Sequence, residues 1–184
     1  LMVSHEHYMK MQRDSVKQKL GTLWSSSKNY SLRKDEINNT EYYWPDIDRF
    51  SFPHQIETVK PVVTEVNSFV KRKRTVLQAG GNCGIYTREY AQHYENVYTF
   101  EPDATNMNCL VLNTNDCNNI IKFQACLGES QGMTAIQNPL EIMDIGGIHV
   151  KTIEKMPENL MVVESKPNIP ILKIDDIKFT ELDL

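Results

Sequence analysis

Between Thr75 and Gly84 the chain reads TVLQAGGNCG. A short apolar run drops directly into a glycine-dense turn, and an amphipathic stretch, residues 85–94, begins at once. Few architectures accommodate that order. Strand, glycine turn and helix together open a nucleotide-type α/β unit. The glycines let the backbone turn sharply and let a ligand approach the main chain without meeting a Cβ. The helix behind them points its unpaired N–H groups at the same ligand. GGNCG lacks the G-x-G-x-x-G spacing of a dinucleotide fingerprint, so an NAD reading is poor. The next β-like run, NVYTF at residues 96–100, ends in Glu101-Pro102. A carboxylate at that tip can accept from both hydroxyls of a ribose. Adenosine without a pyrophosphate therefore suits the pattern better than a dinucleotide.

The flanking pattern extends the unit. Val59, Val62, Val63, Val66, Phe69 and Val70 fall on one helical stripe, which predicts a helix over residues 58–73. Thr58 would cap it, Pro61 would sit in its first turn, and Lys71-Arg72-Lys73-Arg74 would complement its dipole at the other end. Beyond the second strand, Asp103 reads as the cap of a helix with Met107, Leu110, Val111 and Thr114 on one face. A polar turn at 113–119 leads to a third strand over 120–126. The sum is β-α-β-α-β with parallel strands. From Met133 onward the pattern changes to short β-like runs at 133–137, 148–153, 160–164 and 169–174, broken by glycine and proline. Antiparallel hairpins are expected there.

Ahead of the unit, residues 1–40 are polar and weakly patterned. Residues 5–20 can form a helix, and Ser25-Ser26-Ser27 and Asn38-Asn39 read as turns. Residues 41–55, EYYWPDIDRFSFPHQ, are rich in rings, and Pro45 and Pro53 argue against a long helix. This segment is expected to pack its rings on the domain. The functional alternative is a lid over the cleft, with His54 as an acid or base.

The stretches VLQAGGNCGIYT, VYTFEPDATNMNCLVLN and ACLGE resemble the FkbM-like family of S-adenosylmethionine-dependent methyltransferases. The resemblance covers roughly residues 55–184 and is strongest over 75–128. It implies a Rossmann-like α/β fold with an antiparallel hairpin extension, preceded by an N-terminal helical segment. Two regions follow: an N-terminal helical and aromatic segment at 1–57, and a cofactor-binding domain at 58–184. Carried over residue by residue, Gly80, Gly81, Asn82 and Gly84 would shape the loop under the methionine half of S-adenosylmethionine. Glu101 would hold the ribose, Pro102 and Leu127 would flank the adenine, and Cys126 would lie where backbone groups meet the base. One departure stands at the end of the first strand, where the family's Asp is Gln78 here. An amide can accept a hydrogen bond there but loses the attraction to the cofactor's cationic amino group. The implied activity is O-methylation of a sugar or other small hydroxyl acceptor. The alternative is a non-catalytic nucleoside-binding or structural module that kept the fold. No catalytic residue is assigned; Tyr43, His54, Asp103 and Glu129 are the candidates.

The sequence stops after Asp183-Leu184, at what looks like the entry to the family's fourth core strand. Strand one is therefore expected to be an open edge, prone to self-association, and the chain by itself to be inactive. A net charge of 20 − 24 = −4 gives no electrostatic case for nucleic acid or an anionic membrane. No apolar run approaches the roughly 20 residues of a membrane helix, and the N-terminus has no signal-peptide pattern. Cys83, Cys109, Cys117 and Cys126 form no C-x-x-C pair. They read as reduced core residues in a cytoplasmic protein, and no metal site is expected.

Overall fold

A computed structural model of the chain describes residues 29–137, 149–151, 169–179 and 181–184. The helix expected at 5–20, the serine turn at 25–27 and the β-like run at 160–164 lie outside the described residues.

The first described element is a β-hairpin within the region expected to be a helical and aromatic segment. Strand β1 (Tyr30–Asp35) and strand β2 (Thr40–Pro45) form an antiparallel hairpin in which Tyr30 faces Pro45 and Asp35 faces Thr40. The Asn38-Asn39 turn closes it, with Asn39 at a φ of 52°. Asp35 accepts from the Ile37 and Asn38 N–H groups at 2.8 and 3.2 Å, an Asx turn that fixes the reversal. The ring-rich sequence thus supplies a strand, and its Trp44 is fully buried.

Helix α1 (Ser51–Phe69) starts earlier and ends sooner than the apolar stripe predicts. Pro53 falls in its first turn, where the missing N–H costs nothing. Asp48 performs the capping expected of Thr58. Its carboxylate accepts from the Ser51 N–H at 3.1 Å, the Ser51 hydroxyl at 2.8 Å, the Phe52 N–H at 3.1 Å and the Trp44 indole at 2.7 Å. Thr58 lies in the helix body, with its hydroxyl on the His54 carbonyl and the Tyr86 hydroxyl. The buried face is Phe52, Ile56, Val59 and Val63, while Val62 and Phe69 are exposed. Burying each such side chain is worth about 1.5–3 kcal/mol. The helix ends before the basic run, so Lys71 to Arg74 do not sit in its last turn.

The central sheet is as expected. Strands β3 (Thr75–Ala79), β4 (Asn96–Phe100) and β5 (Ile120–Phe123) run parallel in the order β3-β4-β5. Helices α2 (Ile85–Ala91) and α3 (Ala104–Asn113) connect them. Side chains alternate across the sheet. Thr99 faces the helices, against Thr87, while Phe100 stacks on Phe123 at 4.6 Å and Phe179 meets Tyr98 edge-on at 4.9 Å. Asp103 caps α3 as predicted, accepting from Thr105 and Asn106. The buried face of α3 differs from the predicted one. Leu110 and, at the C-cap, Thr114 are buried as expected, but Met107 is half-buried and Val111 exposed, and Asn106, Cys109 and Asn113 complete the face.

Two further expectations need correction. The predicted strand over 120–126 is two strands. The chain leaves the parallel sheet after Phe123, and β6 (Cys126–Gly128) pairs in parallel with β9 (Ile169–Lys173) in a second sheet. There β7 (Gly132–Gln137) runs antiparallel to both β9 and β8 (His149–Lys151), giving the order β6-β9-β7-β8. The β7–β8 pairing matches the expected hairpin character. The two-residue break at Gln124-Ala125 cannot be read from apolar content alone, because both pieces of 120–128 are β-forming.

Nor is the start of β3 an open edge. The Asp183 and Leu184 N–H groups donate to the Thr75 carbonyl at 2.9 and 3.3 Å, and the Leu184 carbonyl accepts from the Leu77 N–H at 2.8 Å. The Asp183 carboxylate takes the Arg74 guanidinium at 2.7 and 3.1 Å and the Arg74 N–H at 2.9 Å, and Arg74 also pairs with Glu181. Thus Arg74, expected from sequence to complement a helix dipole, pins residues 181–184 beside β3.

Candidate functional site

The site forms where β3 and β4 end. The Gly80 and Gly81 N–H groups both donate to the Phe100 carbonyl, each at 2.9 Å, which folds the glycine turn back over the tip of β4. Gly80, Asn82 and Gly84 take φ values of 78°, 48° and 89°. Three left-handed residues in five make the turn tight, and glycine or asparagine is what such positions admit at low cost. Gly81 is required for another reason. A Cβ there would lie 2.3 Å from Thr99 Oγ1 and 2.6 Å from Leu110 Cδ1. At Gly80 a Cβ would meet nothing within 4 Å, so the turn presents bare main chain to open space.

Glu101 is the centre of the arrangement. It is 5% exposed. One carboxylate oxygen accepts from the Asn82 N–H at 2.7 Å and the other from the Asp103 N–H at 2.9 Å. Glu101 therefore spans from the glycine turn to the start of α3. Burial pushes its pKa up to about 7 against the lowering effect of those N–H donors and of the Asn106 amide. Asn106, 2% exposed, also accepts the Cys83 thiol at 3.8 Å. Burial pushes that thiol far up, so Cys83 is a packed, unreactive sulfur in the loop. Burial, and then the charge of Glu101, raise the Cys126 thiol as well, which places Cys126 within electrostatic reach of the carboxylate.

The remaining expected residues scatter. Gln78 turns its amide oxygen inward, accepting from the Thr87 hydroxyl at 2.7 Å and the Thr99 hydroxyl at 3.4 Å. Pro102 is half-buried beside Glu101, and Leu127 is half-buried in β6, opposite Leu172 of the second sheet. Of the candidate acids and bases, Asp103 is committed to capping α3. His54 and Glu129 are exposed and Tyr43 is half-buried. Among the described residues, the side chains of these three make no hydrogen bond to Glu101, Asn82, Cys83 or Asn106, and no group of His, Cys, Asp and Glu is arranged to hold a metal ion. No helix among the described residues is long and apolar enough to cross a membrane.

Asn106, Asn113, Thr87 and Thr99 went unrecognised in the sequence. A signal for the first two existed. Asn106, Cys109, Leu110 and Asn113 have the i, i+3, i+4, i+7 spacing of a buried helical face, with an amide at each end. The rule that asparagine is a surface or turn residue hid it.

No family model matches the chain, and no curated protein matches it. Solved structures share part of its fold. Trm5b from Pyrococcus abyssi is 14% identical, with a TM-score of 0.40 over 52% of this chain and 28% of that one. M. jannaschii TYW2 in complex with AdoMet is 18% identical, with a TM-score of 0.41 over 53% and 44%. The complex of aTrm5 and tRNALeu gives 11% identity and a TM-score of 0.42 over 54% and 29%. The chain spans less than half the length of each of these proteins. Likeness this low says nothing of substrate or activity.

Proposed function

We propose that the chain is the cofactor-binding part of an S-adenosylmethionine-dependent methyltransferase. The observation that carries the reading is Glu101. Its carboxylate sits at the tip of a parallel strand, against a glycine turn whose open main chain faces away from the core. Its two oxygens, each anchored by a main-chain N–H, are the pair of acceptors that a ribose diol needs. The cradle fits an adenosine-type cofactor on this ground. Gly80, Asn82 and Gly84 would line the methionine side, Glu101 would take the ribose, and Pro102 and Cys126 would border the adenine. Leu127, held in the second sheet, would reach the base from that side.

Bound there, the cofactor supplies an electrophilic methyl group on a sulfonium. The chain's own contribution is to bind and orient it and to exclude water. A sugar or other small hydroxyl compound is the acceptor class we favour. The acidic balance of the chain does not favour a polyanion, although one structural neighbour was solved with tRNA. A cytoplasmic setting accords with four free thiols, three of them buried. A second reading, a nucleoside-binding module without turnover, is favoured by Gln78, whose oxygen is already engaged by two threonines.

Calorimetric titration with S-adenosylhomocysteine tests binding. Transfer of labelled methyl to glycans, small hydroxyl compounds and tRNA then separates the readings. Transfer selects the methyltransferase reading, binding without transfer by this chain is common to both readings, and no binding of the cofactor or its product refutes both.

A further inference from the structure

Asn113 is the last residue of α3 and is 7% exposed. Its side chain makes three short hydrogen bonds, all to main chain. Its oxygen accepts from the Tyr43 N–H at 2.7 Å, and its NH₂ group donates to the Tyr43 carbonyl at 2.8 Å and to the Cys83 carbonyl at 2.7 Å. The reverse amide orientation would set an oxygen against two carbonyls, so the geometry fixes the assignment. One side chain therefore grips both polar groups of a β2 residue and the glycine turn at the residue between Asn82 and Gly84. The carbonyl of Asn113 is itself held by Arg88 of α2 at 2.8 Å. Nothing else among the described residues joins the hairpin to the turn by hydrogen bonds.

The position of Cys83 matters because its neighbour Asn82 supplies the N–H that fixes Glu101. A shift of the Cys83 peptide would move that donor and with it the carboxylate. We propose that Asn113 is a positioning residue of the cofactor site, and that through it the β1–β2 hairpin sets the glycine turn. The cofactor half of this inference rests on the methyltransferase reading; the loop half does not.

Asn119 provides a matched control. Its amide donates to the Ala91 and Tyr94 carbonyls at 2.9 and 2.8 Å and makes no bond to the turn. Hydrogen exchange at the Cys83 and Gly84 amides is compared in the parent, Asn113→Ala and Asn119→Ala. Exchange in Asn113→Ala should rise about tenfold, as expected for a buried donor–acceptor pair lost at this point, and should stay near the parent rate in Asn119→Ala. Asn113→Ser keeps a small polar group that cannot span both Tyr43 and Cys83, so it should behave like Asn113→Ala and serves if the alanine variant does not fold. Affinity for S-adenosylhomocysteine should fall about tenfold in the Asn113 variants and hold in Asn119→Ala. Equal acceleration in Asn113→Ala and Asn119→Ala, or none in the Asn113 variants, overturns the loop claim. Loosened amides with unchanged affinity overturn the cofactor claim. A parent that does not bind the probe defeats the methyltransferase reading instead, and the exchange rates still decide whether Asn113 holds the turn.

Discussion

Replacing Glu101 by glutamine removes a buried charge while keeping the shape, and its effect should depend on pH in a defined direction. The folded protein holds this carboxyl at a pKa of about 7, against 4.5 for a free glutamate side chain. The native state therefore binds the proton more tightly than the unfolded chain. The stability contributed by the protonated form is complete below pH 4.5, declines as pH rises, and is lost once pH passes about 7. At about 1.4 kcal/mol per unit, the decline amounts to roughly 3 kcal/mol. Glutamine cannot ionise. It also leaves one of the Asn82 and Asp103 N–H groups facing its NH₂, at a pH-independent cost of about 1–3 kcal/mol. The stability difference between Glu101→Gln and the parent at any one pH thus mixes two effects, but its change with pH does not. Measured by urea unfolding at pH 5 and pH 8, that difference should move by roughly 2.5 kcal/mol in favour of the variant at the higher pH. Cofactor binding should run the other way in the parent. Ribose hydroxyls donate to the ionised form, so affinity for S-adenosylhomocysteine should strengthen as pH rises through 7 and flatten in the variant. Parallel pH profiles for the two proteins, in stability and in binding, would show that Glu101 ionises as freely as a surface acid and would refute the reasoning.

Gly81→Ala should destabilise the fold by about 1–3 kcal/mol, because the added methyl overlaps Thr99 Oγ1 and Leu110 Cδ1; an unchanged urea midpoint would contradict the packing described. Gln78→Asp shortens the side chain away from Thr87 and should cost about 1 kcal/mol of stability. It should also tighten cofactor binding by a margin that shrinks with salt; weaker binding would place the cofactor's amino group elsewhere. The Arg74 side chain holds the Asp183 carboxyl down at about 2, so its stabilising effect is present above the ordinary carboxylate range and is lost as pH falls through about 2. Asp183→Asn should accordingly be less stable than the parent at neutral pH, with the gap closing in acid, and thermal unfolding at pH 7 and pH 2 reads the difference.

The parallel unit and its turn were legible in the residues alone. Thr75 to Gly84 and Asn96 to Glu101 carry local signals, because strand propensity, glycine conformation and an acidic strand tip act over a few residues. The Asp103 cap is of the same kind. Other features needed the tertiary structure. Asp48 starts α1 in place of Thr58 because a buried indole and a helix terminus converge on one carboxylate, and no local rule weighs Trp44 against Ser51. The strand at 120–126 splits because β9, more than 40 residues away in sequence, offers Cys126 a second partner. Arg74 leaves solvent for Asp183 because residues 181–184 return to β3. Asn113 looked like part of a polar turn, yet it faces inward because the hairpin and the glycine turn bring three main-chain groups to its amide. Local propensity sets which elements can form. The partners of buried polar groups are chosen only when distant segments meet, since each must find its hydrogen bonds within the assembled core.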